Sequence, residues 1–240
     1  MILEHLTTNE VEAALQKTRT VIVPFGVLEA HGPHMPLATD TIQAYDGAIR
    51  ASKLVSVFVA APVCYGMCRS ASGHPGTIGI SGDTLRSLAF DIVISLHASG
   101  MRNVILYSGH ASSKQLAAMG EAGEKAIDTI SDLNVAVVCD YDILKNADFI
   151  EAPGDIHAGE LETSRMMHVH PELVRTDKFP SAEKRQFPNP ILVRDCKRYW
   201  PGTVEGDPTL ATAQKGQKLC DIVAEYLADL VRKIEAFEPH

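Results

Sequence analysis

Short apolar runs that alternate with helical patterns constrain this chain more than any other feature. Residues 21–25, 57–61, 103–107 and 135–139 are almost continuously apolar and rich in Val and Ile. Strands buried on both faces read this way, because neither face meets water. Helical patterns separate them: residues 41–53, a stretch opened by Asp83 with Leu85, Leu88, Ile92 and Leu96 on one face and closed by Gly100, and residues 113–129. Strands alternating with helices predict a parallel sheet covered on both sides, an α/β fold. After the fourth strand, a loop running to Glu160 precedes a helical pattern over 162–170. Residues 171–208 carry too much Pro and charge to follow either period, and 210–237 form an amphipathic helix. With no repeat or interdomain linker, a single domain over 1–240 is expected.

The polar residues of interest fall just after the predicted strands, near Glu29, His74, His110 and His157. In an open parallel sheet these loops share the edge where ligands bind. Glu29, His31 and Asp40 combine two carboxylates with an imidazole, a set suited to zinc, manganese or iron more than to the all-oxygen shells of calcium and magnesium. Gly32, Pro33 and Pro36 stiffen the segment between them, which suits a preorganised ligand set. Asp40 also reads as a helix cap, and His34, after Pro33, reads better as a residue behind the ligands than as one of them. Small neighbours flank His110, so a ligand can approach its backbone. Glu160 and Glu162 flank Leu161 at a helix start and point about 200 degrees apart, so only one of them can face the site. Counting Glu29, His31, Asp40, His110 and Glu160 as candidates makes two divalent ions plausible, with Asp40 as the bridge.

Charge and length narrow the partners. A net charge of -8 without a basic stripe argues against nucleic acid, and no apolar run is long enough to span a membrane. Without a basic region and apolar core at the N-terminus, a cytoplasmic protein is expected. The five cysteines read as free thiols of a reducing compartment, and the Cys64/Cys68 spacing lacks the second pair of a zinc knuckle. Trp200, in an irregular segment, could pack in the core, cover the site or meet a neighbouring chain.

At the site residues the sequence resembles the creatininase (creatinine amidohydrolase) family, from about Val21 to Leu173. Glu29-Ala30-His31-Gly32-Pro33-His34-Met35-Pro36, with Thr39-Asp40 after it, is similar to the family's first motif. Gly73-His74-Pro75-Gly76-Thr77, Ser108-Gly109-His110 and His157-Ala158-Gly159-Glu160-Leu161-Glu162-Thr163-Ser164 resemble three more, in order. The resemblance implies a three-layer α/β/α sandwich with a mostly parallel central sheet, two divalent metals, cleavage of non-peptide amide bonds and a homo-oligomer, usually a hexamer. It also implies Glu29 and His110 on one ion, His31 and Glu160 on the other, and Asp40 bridging. Ser112 stands where creatininases carry a Glu. Gly154, Ile156 and Ala111 stand at their substrate-contacting positions, so a member other than a strict creatininase is expected.

The expected chemistry is metal-assisted hydrolysis of a carbon-nitrogen bond in a small, possibly cyclic, metabolite. His157, not assigned as a ligand, is left to pass a proton to the departing nitrogen. His74, Gly76, Thr77 and Asp155 are the candidate substrate-binding residues. A metallopeptidase, a deformylase, a ring-opening hydrolase and a metal-binding protein without catalysis stand as alternatives.

Overall fold

The computed structural model describes residues 1–181 and 185–238. In chain order the elements are helix α1 (Thr8–Ala14), strand β1 (Thr20–Phe25), α2 (Thr39–Leu54), β2 (Phe58–Val59), α3 (Gly82–Ala98), β3 (Asn103–Ser108), α4 (Ser113–Thr129), β4 (Asn134–Cys139), α5 (Asp140–Leu144), α6 (Glu160–Val169) and α7 (Ala213–Glu235). The four strands are all parallel, in the order β2-β1-β3-β4. Val21 pairs with Val104, and Val104 with Val135, which puts the carboxyl ends of β1, β3 and β4 on one edge.

Alternation along the strands divides the core in two. Val21, Val23 and Phe25 of β1 and Val104 and Leu106 of β3 pack with Leu85, Ala89 and Val93 of α3 and Ala118, Met119 and Ala122 of α4. From the other face, Ile22, Ile105 and Tyr107 pack with Ala44, Ala48 and Ala51 of α2 and Leu219, Val223, Leu227 and Val231 of α7. The result is the expected three-layer α/β/α sandwich, and each fully buried Val or Leu contributes about 1.5–3 kcal/mol. No helix among the described residues is long and apolar enough to cross a membrane.

Several boundaries differ from the sequence reading for local reasons. Ser81, not Asp83, caps α3, its side chain accepting a hydrogen bond from the Thr84 amide at 3.2 Å. Helix α6 starts at Glu160 because the Asp155 carboxylate takes up its first free amides, those of Glu160 and Leu161, each at 2.8 Å. The short α5 occupies what reads as loop after β4. Residues 171–208, where described, hold only 3-10 turns and irregular chain.

Helices α6 and α7 meet backbone to backbone at Gly216, where a Cβ would overlap the Ser164 carbonyl. Gly216→Ala is expected to cost about 1–3 kcal/mol through this overpacking, read as a lower urea midpoint at unchanged slope.

Candidate metal centre

The segment after β1 turns back across the end of the sheet and enters α2 at Thr39, which carries Glu29, His31 and Asp40 inward. The loop after β3 reaches the same place because Gly109 lacks a side chain. A Cβ there would overlap the Asp40 carbonyl, so glycine allows His110 to lie against the start of α2. The chain before α6 contributes His157, and the first turn of α6 contributes Glu162.

Two groups of ligand-type atoms result, each within 4.8 Å internally: Glu29, Asp40 and His110, and His31, His157 and Glu162. Asp40 joins them. Its Oδ2 lies 3.0 Å from His110 Nδ1, and its Oδ1 lies 3.0 Å from His31 Nε2. Glu29 Oε2 is 3.0 Å from the same His110 nitrogen, and Glu162 Oε2 is 3.7 Å from His31 Nε2.

All three imidazoles are oriented alike. A carbonyl only accepts, so the nitrogen facing one carries the hydrogen. His31 Nδ1 faces the Glu29 carbonyl at 2.9 Å, His110 Nε2 the Met67 carbonyl at 3.1 Å and His157 Nε2 the Ala30 carbonyl at 2.9 Å. The second nitrogen of His31 and of His110 therefore points a lone pair at carboxylate oxygens. Glu29 Oε2 and Asp40 Oδ2 are buried and accept no hydrogen bond. Buried lone pairs aimed at one another are costly unless a cation or a proton lies between them, and a backbone carbonyl on the far nitrogen is the usual support of a metal-binding His. The donor set fits two borderline divalent ions.

The electrostatics follow from this crowding. Burial alone would raise the Glu29 carboxyl, but His110 and then His157 hold it down at about 2. Asp40 also stays well below the carboxylate range, burial being outweighed by His31 and His110. Burial would lower His31, yet Asp40 and then Glu162 raise it to about 10, and Glu29 with Asp40 raises His110 well above its ordinary value. Glu162 is raised, mainly by burial.

Glu160 is placed differently from the expectation. Its Oε2 accepts the amides of Glu151 and Ala152 at 2.8 and 2.7 Å, and its Oε1 is ion-paired with Lys215 of α7. The two residues diverge as the helical period requires, and Glu162 is the one that faces the cluster, braced by the Ala158 amide at 2.6 Å. Ala158 takes φ +52 to aim that amide, a left-handed conformation uncommon for a residue with a Cβ.

Of the four expected substrate-binding residues, His74, Thr77 and Asp155 have polar atoms engaged with the scaffold. Thr77 Oγ1 accepts the Ala30 amide at 3.0 Å, and His74 Nε2 donates to the Trp200 carbonyl at 3.0 Å. Gly76, at φ +84, lies on Leu37, and Asp155 caps α6. His34 lies behind the cluster as expected, sharing a hydrogen bond with Thr163 Oγ1 at 3.0 Å. Burial and then the His31 charge lower it to about 4.

Two contributors, Cys68 and Glu205, escaped the sequence reading, and Trp200 takes one of the places left open for it. The Cys68 thiol donates to Glu29 Oε1 at 3.1 Å, turning the other oxygen toward Asp40 and His110. The backbone of Glu205 pairs with that of His157, which clips a distant segment onto the site. Trp200 of that segment is buried with its ring 5.0 Å from the His157 ring. No local pattern marks any of these, because each partner is far away in sequence. Beneath the cluster, buried Arg165 donates to Asp140 at 2.5 Å and to the Gln43 carbonyl at 3.2 Å, and Gln43 in turn donates to the Glu162 carbonyl at 3.0 Å.

A cavity of about 630 Å³ opens over the centre, with Glu29, His110, His157 and Glu162 in its wall. A family model described as creatinine amidohydrolase matches residues 4–231. Creatinine amidohydrolase of Pseudomonas putida is 28% identical over 98% of this chain and 96% of its own. The mycofactocin precursor peptide peptidase of Mycobacterium ulcerans is 30% identical over 92% of this chain and 86% of its own. Among solved structures, a manganese creatininase and a zinc-zinc form of a creatininase variant are each 25% identical over 97% of both chains. Their TM-scores are 0.84 and 0.86.

Proposed function

The chain belongs to the creatininase family of amidohydrolases, and from that premise we propose that it cleaves a non-peptide carbon-nitrogen bond of a small amide at a two-metal centre. One observation carries the reading: two buried ligand groups share Asp40, and their ligand-type atoms converge with Glu29 Oε2 and Asp40 Oδ2 left without a hydrogen-bond donor. Glu29, Asp40 and His110 would hold one ion, and His31, Asp40 and Glu162 the other. Zinc and manganese are the candidates that the solved relatives support. Bound divalent ions would supply Lewis acidity, making water a better nucleophile and the carbonyl a better electrophile.

The chain's own groups do the rest. Cys68 and His110 fix the two Glu29 oxygens in different directions. His157 lines the cavity with one nitrogen held by the Ala30 carbonyl, so its other nitrogen takes the proton released by the attacking water and returns it to the departing amine. Trp200 against that ring keeps bulk water from it. A peptide end as substrate is the second reading, favoured by the likeness to the Mycobacterium ulcerans peptidase. The family match over residues 4–231 supports a single catalytic domain, and the exposed β4 edge, where Val137 is 37% exposed, leaves room for a homo-oligomer contact.

Metal content and metal-proton competition test the centre. In metal-free protein His31 keeps its proton up to about 10, against about 6.5 unfolded. Its contribution to stability is complete below about 6.5 and disappears as pH rises through about 10. Metal must displace that proton, so metal affinity rises with pH over the same window. The melting temperature of chelator-treated protein should fall across this range and recover on adding manganese or zinc. Equal curves with and without metal, and well under one metal per chain, would overturn the proposal.

A further inference from the structure

We propose that the amide cleaved here carries a carboxylate, drawn to the cavity by Arg69 and Lys114. The proposal rests on the amidohydrolase reading above and narrows its substrate class. The chain as a whole has 22 basic and 30 acidic residues, so its background charge is negative. The cavity reverses that balance. Apart from the carboxylates of the ligand groups, its charged lining is Arg69, Lys114 and Arg185 against Glu205 alone.

Those three cations are not equivalent. Arg185 is ion-paired with Glu205 and lies over the Trp200 ring at 5.3 Å, so its charge is already compensated. Arg69 donates from Nη1 to Ser72 Oγ at 3.0 Å and from Nη2 to the Val193 carbonyl. These neutral acceptors orient the guanidinium without cancelling its charge. Lys114, at the start of α4, has no ion-pair or hydrogen-bond partner among the described residues. Two uncompensated cations therefore share a cavity with the ligand groups, at the mouth of a protein whose net charge repels anions.

The lining also carries apolar side chains, Ile156, Phe187, Ile191 and Leu192, of which Leu192 is 89% exposed. An amide that combines a carboxylate with an apolar acyl group, such as an N-acyl amino acid, matches both kinds of lining. Hydrolysis balances as amide plus water giving a carboxylic acid and an amine. The second carboxylate remains on the amine product.

N-benzoylglycine and N-benzoylglycinamide form a matched pair, sharing the benzoyl amide and differing in one charge. Each is titrated into the metal-loaded full chain with calorimetry and the emission of Trp200, the only tryptophan, as readouts. The acid is expected to bind at least about fivefold tighter at low salt, and the preference should shrink in 0.5 M salt. Lys114→Gln and Arg69→Gln should each reduce that preference by about two- to fivefold while moving the amide's affinity far less. Equal affinity for both probes, no affinity for either, or equal weakening of both by Lys114→Gln would overturn the proposal. Benzoate release separates the two claims. Equal release from both probes defeats the anion preference and leaves the hydrolase reading intact, whereas selective binding of the acid without release from either counts against hydrolysis alone.

Discussion

Glu162→Gln is expected to remove close to one metal equivalent per chain and to lower turnover by about 10²–10³-fold, whereas Glu160→Gln keeps the metal and loses stability instead. The contrast follows from where the two carboxylates go. Glu162 Oε2 lies 3.7 Å from His31 Nε2 and in one group with His157, so an amide there weakens an anionic donor. Glu160 is fully buried and faces the other way, accepting two backbone amides while ion-paired with Lys215. A neutral side chain leaves Lys215 without that partner and cannot present the same oxygens to both amides, at a cost of about 2–4 kcal/mol. Elemental analysis and calorimetric melting of the two variants decide the matter. Metal loss in Glu160→Gln with normal metal in Glu162→Gln would reverse the assignment.

The second large effect is at His157. Exchange for Ala should lower turnover by about 10²–10⁴-fold while most of the metal stays, because proton transfer is lost and Asp40, His31 and Glu162 still furnish one ion with three protein donors. Its ring nitrogen lies close enough to His31 and Glu162 to ligate, so metal content is the deciding measurement. If metal and turnover fall together, His157 is a ligand and the proton is handled elsewhere. A packing defect alone would instead appear as a lower melting temperature, since the ring lies against both His31 at 4.2 Å and Trp200.

Much of the fold is legible in the chain because its signals are local. Val21, Ile22 and Val23 advertise a strand buried on both faces, and the strand-helix alternation leaves few architectures open. The convergence of Glu29, His31, Asp40 and His110 is legible for a related reason. Parallel strands place their following loops on one edge, so the positions of the strands locate the site before any contact is known.

Direction and distance are not legible in the same way. Glu160 and Glu162 are the same residue type two positions apart, and the helical period says only that they diverge. Which one turns inward depends on Lys215 and the amides of Glu151 and Ala152, contacts made after α6 docks on α7. His74, Thr77 and Asp155 look like substrate contacts in the sequence because they are polar residues in loops. In the structure the backbone groups of Ala30, Trp200, Glu160 and Leu161 need them as hydrogen-bond partners.

The amino-acid sequence alone determined the layered sheet and the edge on which the candidate site lies, since periodicity and residue type act over a few positions. Tertiary structure alone decided which Glu faces the centre, that Cys68 steers Glu29, and that Trp200 and Glu205 close over His157 from more than forty residues away. Those outcomes depend on burial and on satisfying buried backbone groups, and both are properties of the assembled core.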